Sequence, residues 1–345
     1  MELKERIMTL SGLFSVTGHE GTEGEKAEKL LAGFDEVRTD AVGNRILVRK
    51  CGRENAPRIL IDTHFDEIGM FVSGITARGF LRVASVGGLD LRTLPATTVR
   101  VFGKKIIEGV IALPEKTEED GEEVLPAVTD LLIDTGYPKE TVEQWVRVGT
   151  PVGFLPRYEE FANGRLVGKA FDNKACAACA ADGVLAAPKE ALAGDVYLLL
   201  SVHEETDRLG GTVAGGFSVD PDYAMVIDVN LGRTPDTRKR DTVALGGGIS
   251  LAHSVVCDRA LTRLTAEVCE REGIPYQYCT APVSTGTNTG ALHLAGKGIP
   301  CVDVGLPLRA MHTYVEMIDE ADAAALSALC RAFVCDGKTA EVFGR

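Results

Sequence analysis

Val196-Tyr197-Leu198-Leu199-Leu200-Ser201-Val202 runs directly into His203-Glu204-Glu205-Thr206. So long an apolar run reads as a strand buried on both faces of a sheet. Two adjacent carboxylates at its carboxyl end are costly unless something compensates them. Open α/β sheets place their ligand sites at the carboxyl ends of strands. A positive group belongs there, and a metal ion is the strongest candidate. The plainer alternative is a solvated Glu-Glu pair in a loop.

The same pattern recurs along the chain. Arg58-Ile59-Leu60-Ile61-Asp62-Thr63 leads into His64-Phe65-Asp66-Glu67-Ile68-Gly69. Tyr223-Ala224-Met225-Val226-Ile227 leads into Asp228, and the apolar run 299–305 is followed by Arg309-Ala310-Met311-His312. Asp172 opens an Ala-rich helix. Two His, two Asp and one or two Glu form a mixed N/O donor set. Such a set suits Zn, Co or Mn rather than Cu(I) or Ca. Read singly, Asp172 is an ordinary helix N-cap, and His64 beside Asp66 is a loop pair. On an extended segment those two share a face, so Asp66 can accept from the second ring nitrogen of His64. Of the Glu pair, one carboxylate can ligate while the other takes a proton from an activated water. His203 reads as packed or supporting, and His19, His253 and His293 as structural or exposed.

The 345 residues carry a net charge of -13, which argues against nucleic acid as the main partner. No apolar run reaches the roughly 20 residues needed to span a bilayer. The charged start Met1-Glu2-Leu3-Lys4-Glu5-Arg6 reads as an amphipathic helix rather than a signal peptide. Nine scattered Cys suggest a reducing, cytoplasmic setting. The spacing Cys176-x-x-Cys179 reads as packed thiols.

Helices are expected near 2–17 and 22–34, then a hairpin over 36–48. Between 71 and 164 short alternating β runs suggest a small barrel or sandwich. The acidic stretch 115–123 reads as a solvated loop. Few metal-type groups fall in this segment, so it reads as an insertion into an α/β domain that resumes near Leu166. Alternating elements follow: helix 173–187, strand 196–202, a helix near 208–215, strand 223–228, helix 258–272, strand 275–279, helix 287–295, strand 299–304 and helix 319–335. Gly246-Gly247-Gly248 lacks dinucleotide-site spacing and reads as a close-packed turn.

Taken in order, several motifs resemble the M42 family of metallo-aminopeptidases, relatives of glutamyl aminopeptidase and the TET peptidases. They are His64-x-Asp66-Glu67-Ile68-Gly69, Gly168-Lys169-Ala170-Phe171-Asp172-Asn173-Lys174, Glu204-Glu205, Ile227-Asp228, Gly286-Thr287-Asn288-Thr289-Gly290-Ala291 and His312-Thr313-Tyr314-Val315-Glu316. The resemblance is collinear over nearly the whole chain. It implies a mixed-sheet, zinc-exopeptidase-like α/β catalytic domain (1–70 and 165–345) with an inserted small β-barrel domain (71–164) used in oligomerisation. It implies two divalent metal ions, Zn or Co. His64 and Asp228 would hold one, Glu205 and His312 the other, and Asp172 would bridge. Glu204 would be the general base, Asp66 a second catalytic residue that fixes the tautomer of His64, and the Asp172-Asn173 bond a non-proline cis peptide.

The implied activity is hydrolysis of amino-terminal residues from peptides, with deacylation of a non-peptide amide as the alternative. A metal-dependent scaffold without activity is a third reading. Self-association, from a dimer to a tetrahedral dodecamer, is implied as well. The chain departs from the family's usual pattern at Asn288, where Asp is usual, at His203, where Gln is frequent, and in the turn after Glu205. Arg309 and the segment 251–258 are candidates for shaping a specificity pocket.

Overall fold

The computed structural model describes residues 1–112, 117–119, 122–124, 127–206 and 209–344. An eight-stranded mixed sheet forms its centre, in the order Glu36–Thr39, Arg45–Arg49, Asp195–Ser201, Arg58–His64, Tyr223–Leu231, Cys301–Leu308, Ile249–His253 and Tyr276–Thr280. The four central strands are parallel, with Ser201 opposite His64, Asp62 opposite Val226 and Asp228 opposite Gly305. Their carboxyl ends therefore reach one edge together. The α/β class and the mixed sheet agree with the reading of the sequence.

One face of this sheet changes character along its strands. Leu60, Leu199, Ala224, Val226 and Cys301 belong to one apolar cluster. Because strand side chains alternate, the residues two further on share that face. They are Asp62, Ser201, Asp228 and Asp303. The lower half of the face is thus core, and the upper half is a polar shelf. The opposite face packs on helix Phe171–Ala186, which lies against helix Glu320–Val334. A Cβ on Gly183 would fall 2.2 Å from the Ser327 carbonyl oxygen, so only glycine allows this close approach. Burying each Leu, Ile or Phe of this core contributes about 1.5–3 kcal/mol. Cys176 and Cys179 are wholly buried in the same helix, where burial pushes both thiols well above their ordinary value, so they serve as small apolar groups.

A closed barrel runs through Leu132–Asp134, Leu81–Val86, Gly69–Ile75, Pro151–Phe154, Thr98–Phe102 and Ile106–Ile111, around its own apolar core. Its strand Gly69–Ile75 begins five residues after His64, so the barrel and the central sheet meet beside that histidine. Within the acidic stretch 115–123, Thr117–Glu119 pairs antiparallel with Glu122–Val124, where a loop was expected. The rest of that stretch lies outside the described residues, as do Asp207 and Arg208 in the turn after Glu205.

The first helix is Leu3–Ser11 rather than 2–17. Residues 13–17 instead form a strap between barrel and sheet. The Ser15 amide donates to Glu67 Oε1 at 2.9 Å, Val16 bridges Glu67, and Phe14 stacks on Phe102 of the barrel at 3.6 Å. These tertiary partners outcompete continuation of the helix. The expected helix 287–295 shrinks to Thr289–Leu292. Strand Ile249–His253 and helix Gly337–Phe343 add to the expected elements.

Candidate metal centre

The parallel strand ends bring five expected side chains together. His64 is the last residue of its strand and is buried. Its Nε2 lies 3.0 Å from Asp172 Oδ1, 3.6 Å from Asp228 Oδ1 and 3.8 Å from Glu204 Oε2. On the other side, His312 Nε2 lies 3.6 Å from Asp172 Oδ2 and 3.3 Å from Glu205 Oε2. The two oxygens of Asp172 thus face the two histidines separately. His64, Asp172 and Glu205 each offer a donor atom within 4.8 Å of the others, as a bound cation requires.

The supports are as specific as the cluster. The Asp172-Asn173 peptide is cis. The Asp172 amide donates to Glu316 Oε2 at 3.0 Å, and the His312 amide to Glu316 Oε1 at 3.2 Å. Asn173 Nδ2 donates to the Ile227 carbonyl at 2.8 Å, which ties the Asp172 turn to the strand carrying Asp228. His64 Nδ1 meets the Asp66 backbone carbonyl at 3.0 Å, with the Asp66 carboxylate behind it at 3.5 Å. That carboxylate also accepts the Glu204 amide at 3.2 Å, the Glu205 amide at 3.1 Å and the Thr17 hydroxyl at 2.8 Å. Asp66 therefore orients the histidine and both glutamates at once.

The strand ends at Ser201, so Glu204 and Glu205 lie in the following turn, where their side chains diverge. His203 takes a left-handed φ of 66° and touches none of the cluster's carboxylates at ion-pair distance. His19 lies edge-on to Phe71, His253 stacks on Tyr278, and His293 Nδ1 meets the Thr289 carbonyl. None of the three joins the cluster.

Electrostatics explains what the cluster lacks. Burial pushes Glu204 up to about 8, Asp228 up to about 6, and Glu205 well above the ordinary carboxylate range. Burial opposes a charge on His64, but Asp228 and Asp172 outweigh it and raise the imidazole well above its usual value. Among the described residues, no Lys or Arg nitrogen lies within ion-pairing distance of these four carboxylates. An imidazolium is the main counter-charge to a surplus of anions. The carboxylate and imidazole donors fit divalent cations, which would supply the missing charge and displace the proton from His64.

Several contributors were not singled out from the sequence. Glu316 appeared only as the end of a motif, yet it links the Asp172 turn to the His312 turn. Thr17 falls within the helix expected over 2–17, whereas its contact with Asp66 is tertiary. Asn288 stands apart from the cluster. Its Nδ2 donates to Ser201 Oγ at 2.8 Å, and Ser201 Oγ donates to Asp62 Oδ1 at 2.7 Å. Burial pushes Asp62 up to about 6, so a neutral amide at 288 avoids a second buried carboxylate beside it. Arg309 Nε donates to the Arg233 carbonyl and does not line the central cavity, whereas Ala252 of the segment 251–258 does.

A mixed α/β sheet and a closed barrel thus frame an acidic-histidine cluster beside the carboxyl ends of the parallel strands. Residues 43–329 match the sequence profile of the M42 glutamyl aminopeptidase family, and the chain belongs to that family. It is similar to a putative aminopeptidase of Acetivibrio thermocellus, 30% identical over 93% of this chain and 96% of that protein. An aminopeptidase structure from Desulfurococcus kamchatkensis superposes with a TM-score of 0.88 at 29% identity, over 96% of this chain and 94% of that one. The TET1 peptidase of Pyrococcus horikoshii, described as able to assemble into a tetrahedron or a large octahedral shell, superposes with a TM-score of 0.84 at 25% identity, over 96% and 99% of the two chains. Among the described residues, no helix is long and apolar enough to cross a membrane.

Proposed function

We propose that the chain is a two-metal aminopeptidase that removes amino-terminal residues from peptides, with Glu204 as its general base. The observation that carries this reading is the placement of Asp172, one oxygen toward His64 and the other toward His312. His64 and Asp228 would hold one ion, Glu205 and His312 the second, and Asp172 both. Zinc or cobalt suits these donors. Bound there, the pair would activate a water and polarise the scissile carbonyl.

The chain's own groups then divide the work. Glu204 receives the water's proton and returns it to the leaving amine. Asp66 keeps the Glu204 and Glu205 backbones in place through their amides. Glu316 holds the turns bearing Asp172 and His312 at a fixed separation. The experiment is Glu204→Gln, which keeps size and removes the base. Metal content by elemental analysis should be unchanged, while turnover of an aminoacyl anilide falls by about 10²–10⁴-fold. Near-normal turnover would refute the assignment.

The barrel, residues 71–164 of the proposed division, is the candidate assembly element, with a dimer as the smallest product and a tetrahedral dodecamer as the largest. Sedimentation of the intact chain reads which forms; a monomer at micromolar concentration would refute the proposal. All nine cysteines are unpaired, in keeping with a reducing cytoplasm.

A further inference from the structure

The cavity that holds the metal cluster does not stop there. Past Asp228 it continues along the polar shelf of the sheet to a floor formed by Asn230, Cys279, Thr287 and Asp303, with Leu231, Ala252 and Met311 on its walls. Its volume is about 440 Å³, within the range of small-molecule sites. Asp303 is only 5% exposed. Its Oδ2 accepts the Thr287 hydroxyl at 2.6 Å and the Thr289 hydroxyl at 2.8 Å. Hydroxyl donors hold a carboxylate in place without cancelling its charge. The other charged groups on this side of the cavity are Arg240 and Asp241, at its mouth, with side chains 74% and 44% exposed. Asp241 lies 3.5 Å from Arg240 and 2.6 Å from Arg238, so two exposed guanidinium groups share one carboxylate at the solvent side. Burial pushes the Asp303 carboxyl above its ordinary range against the threonine hydroxyls, and among the described residues no cationic nitrogen lies within ion-pairing distance of it, so the floor holds a carboxylate that lacks a cationic partner.

We propose that this floor receives the side chain of the substrate's amino-terminal residue, and that Asp303 selects a cationic one, lysine or arginine. The inference rests on the aminopeptidase reading and names its substrate class. An aliphatic stem fits between Leu231, Ala252 and Met311, and its cationic tip reaches Asp303 and the threonine hydroxyls. An apolar side chain of equal length would leave a dehydrated carboxylate unmatched. An acidic one would set a second negative charge beside it in a confined space.

Two measurements test this. The first compares kcat/KM on the Lys, Arg, Leu and Glu p-nitroanilides for the metal-loaded protein and for Asp303→Asn. Lys and Arg should exceed Leu by about tenfold or more, and the substitution should remove that advantage, with Lys and Arg falling and Leu equal or higher. A preference for Leu or Glu would overturn the proposal. An equal fall on every substrate would also overturn it, because Asp303 would then only anchor the 285–289 turn. The second measurement needs neither a variant nor turnover: calorimetric binding of L-lysine against L-norleucine, which lacks the ammonium. Lysine should bind about tenfold more tightly, and equal affinities would overturn the proposal. If no anilide is cleaved but lysine is still preferred, the aminopeptidase reading falls and the cationic pocket stands.

Discussion

Glu67 and Glu205 are equally hidden, each with 4% of its side chain exposed, and they are neutralised by different means. Glu67 Oε2 sits 2.5 Å from Lys169 Nζ and 3.3 Å from Lys174 Nζ, and both lysines also donate to the Leu13 carbonyl. Burial opposes its charge, but the two ammonium groups hold its carboxyl below the ordinary range. Lys174 is itself pulled down to about 7 by burial, so the group is close to balanced from the chain's own atoms. Glu205 shares its surroundings with Asp172, Asp66 and Glu204, and among the described residues no lysine or arginine nitrogen lies within ion-pairing distance of it. The contrast shows how to separate buried charge that builds structure from buried charge that recruits a ligand. The first closes on itself, and the second leaves a deficit of fixed sign.

The contrast can be broken most severely at Asp172. Asp172→Ala removes the one carboxylate that faces both histidines. Activity should fall to background, and elemental analysis should find fewer than two metal ions per chain. Retention of two ions would mean that the deficit is met elsewhere. A smaller effect of the opposite kind is expected from Glu67→Gln, which strands two buried lysines. Urea unfolding should show a loss of about 3–5 kcal/mol with metal content unchanged. Replacing Glu67, Lys169 and Lys174 together by Leu, Met and Met should recover only part of that loss, because the trio no longer carries charge but leaves the Ser15 amide and the Leu13 carbonyl without these partners.

The mildest test is pH. In the metal-free protein Glu204 and Asp228 titrate at about 8 and about 6, above their ordinary values of 4.5 and 3.8. The folded chain therefore holds protons that the unfolded chain has already released. Their contribution to stability is complete below about pH 4 and is lost as pH rises through 6 to 8. The Tm of metal-free protein should fall over that window, and metal-loaded protein should show a flatter profile. A falling profile of equal steepness with metal bound would contradict the deficit. Glu67 acts in the opposite sense, since its lowered value adds stability that is lost as pH falls into the acid range.

Much of the site was legible because parallel sheets write their ligands where apolar runs stop. Val196–Val202 before the Glu pair, and Tyr223–Ile227 before Asp228, each show that transition within a few residues. What stayed hidden depends on contacts distant in the chain. The strap 13–17 reads as more helix, because its partner Glu67 lies some fifty residues away. Thr287 and Asn288 read as helix, because the hydroxyl of Thr287 is held by Asp303 on a strand still to come. Ile249–His253 is short, follows three glycines and runs antiparallel to its neighbour Cys301–Leu308, so no long apolar run announced it.

Asp66 offers its two carboxylate oxygens to the amides of consecutive residues, one oxygen apiece. It works as a jig clamping the proposed base and the proposed ligand to a common post. A displacement of that post carries Glu204 and Glu205 in step. Variation at position 66 would therefore alter turnover and cation retention together, leaving selection no means there of adjusting either alone.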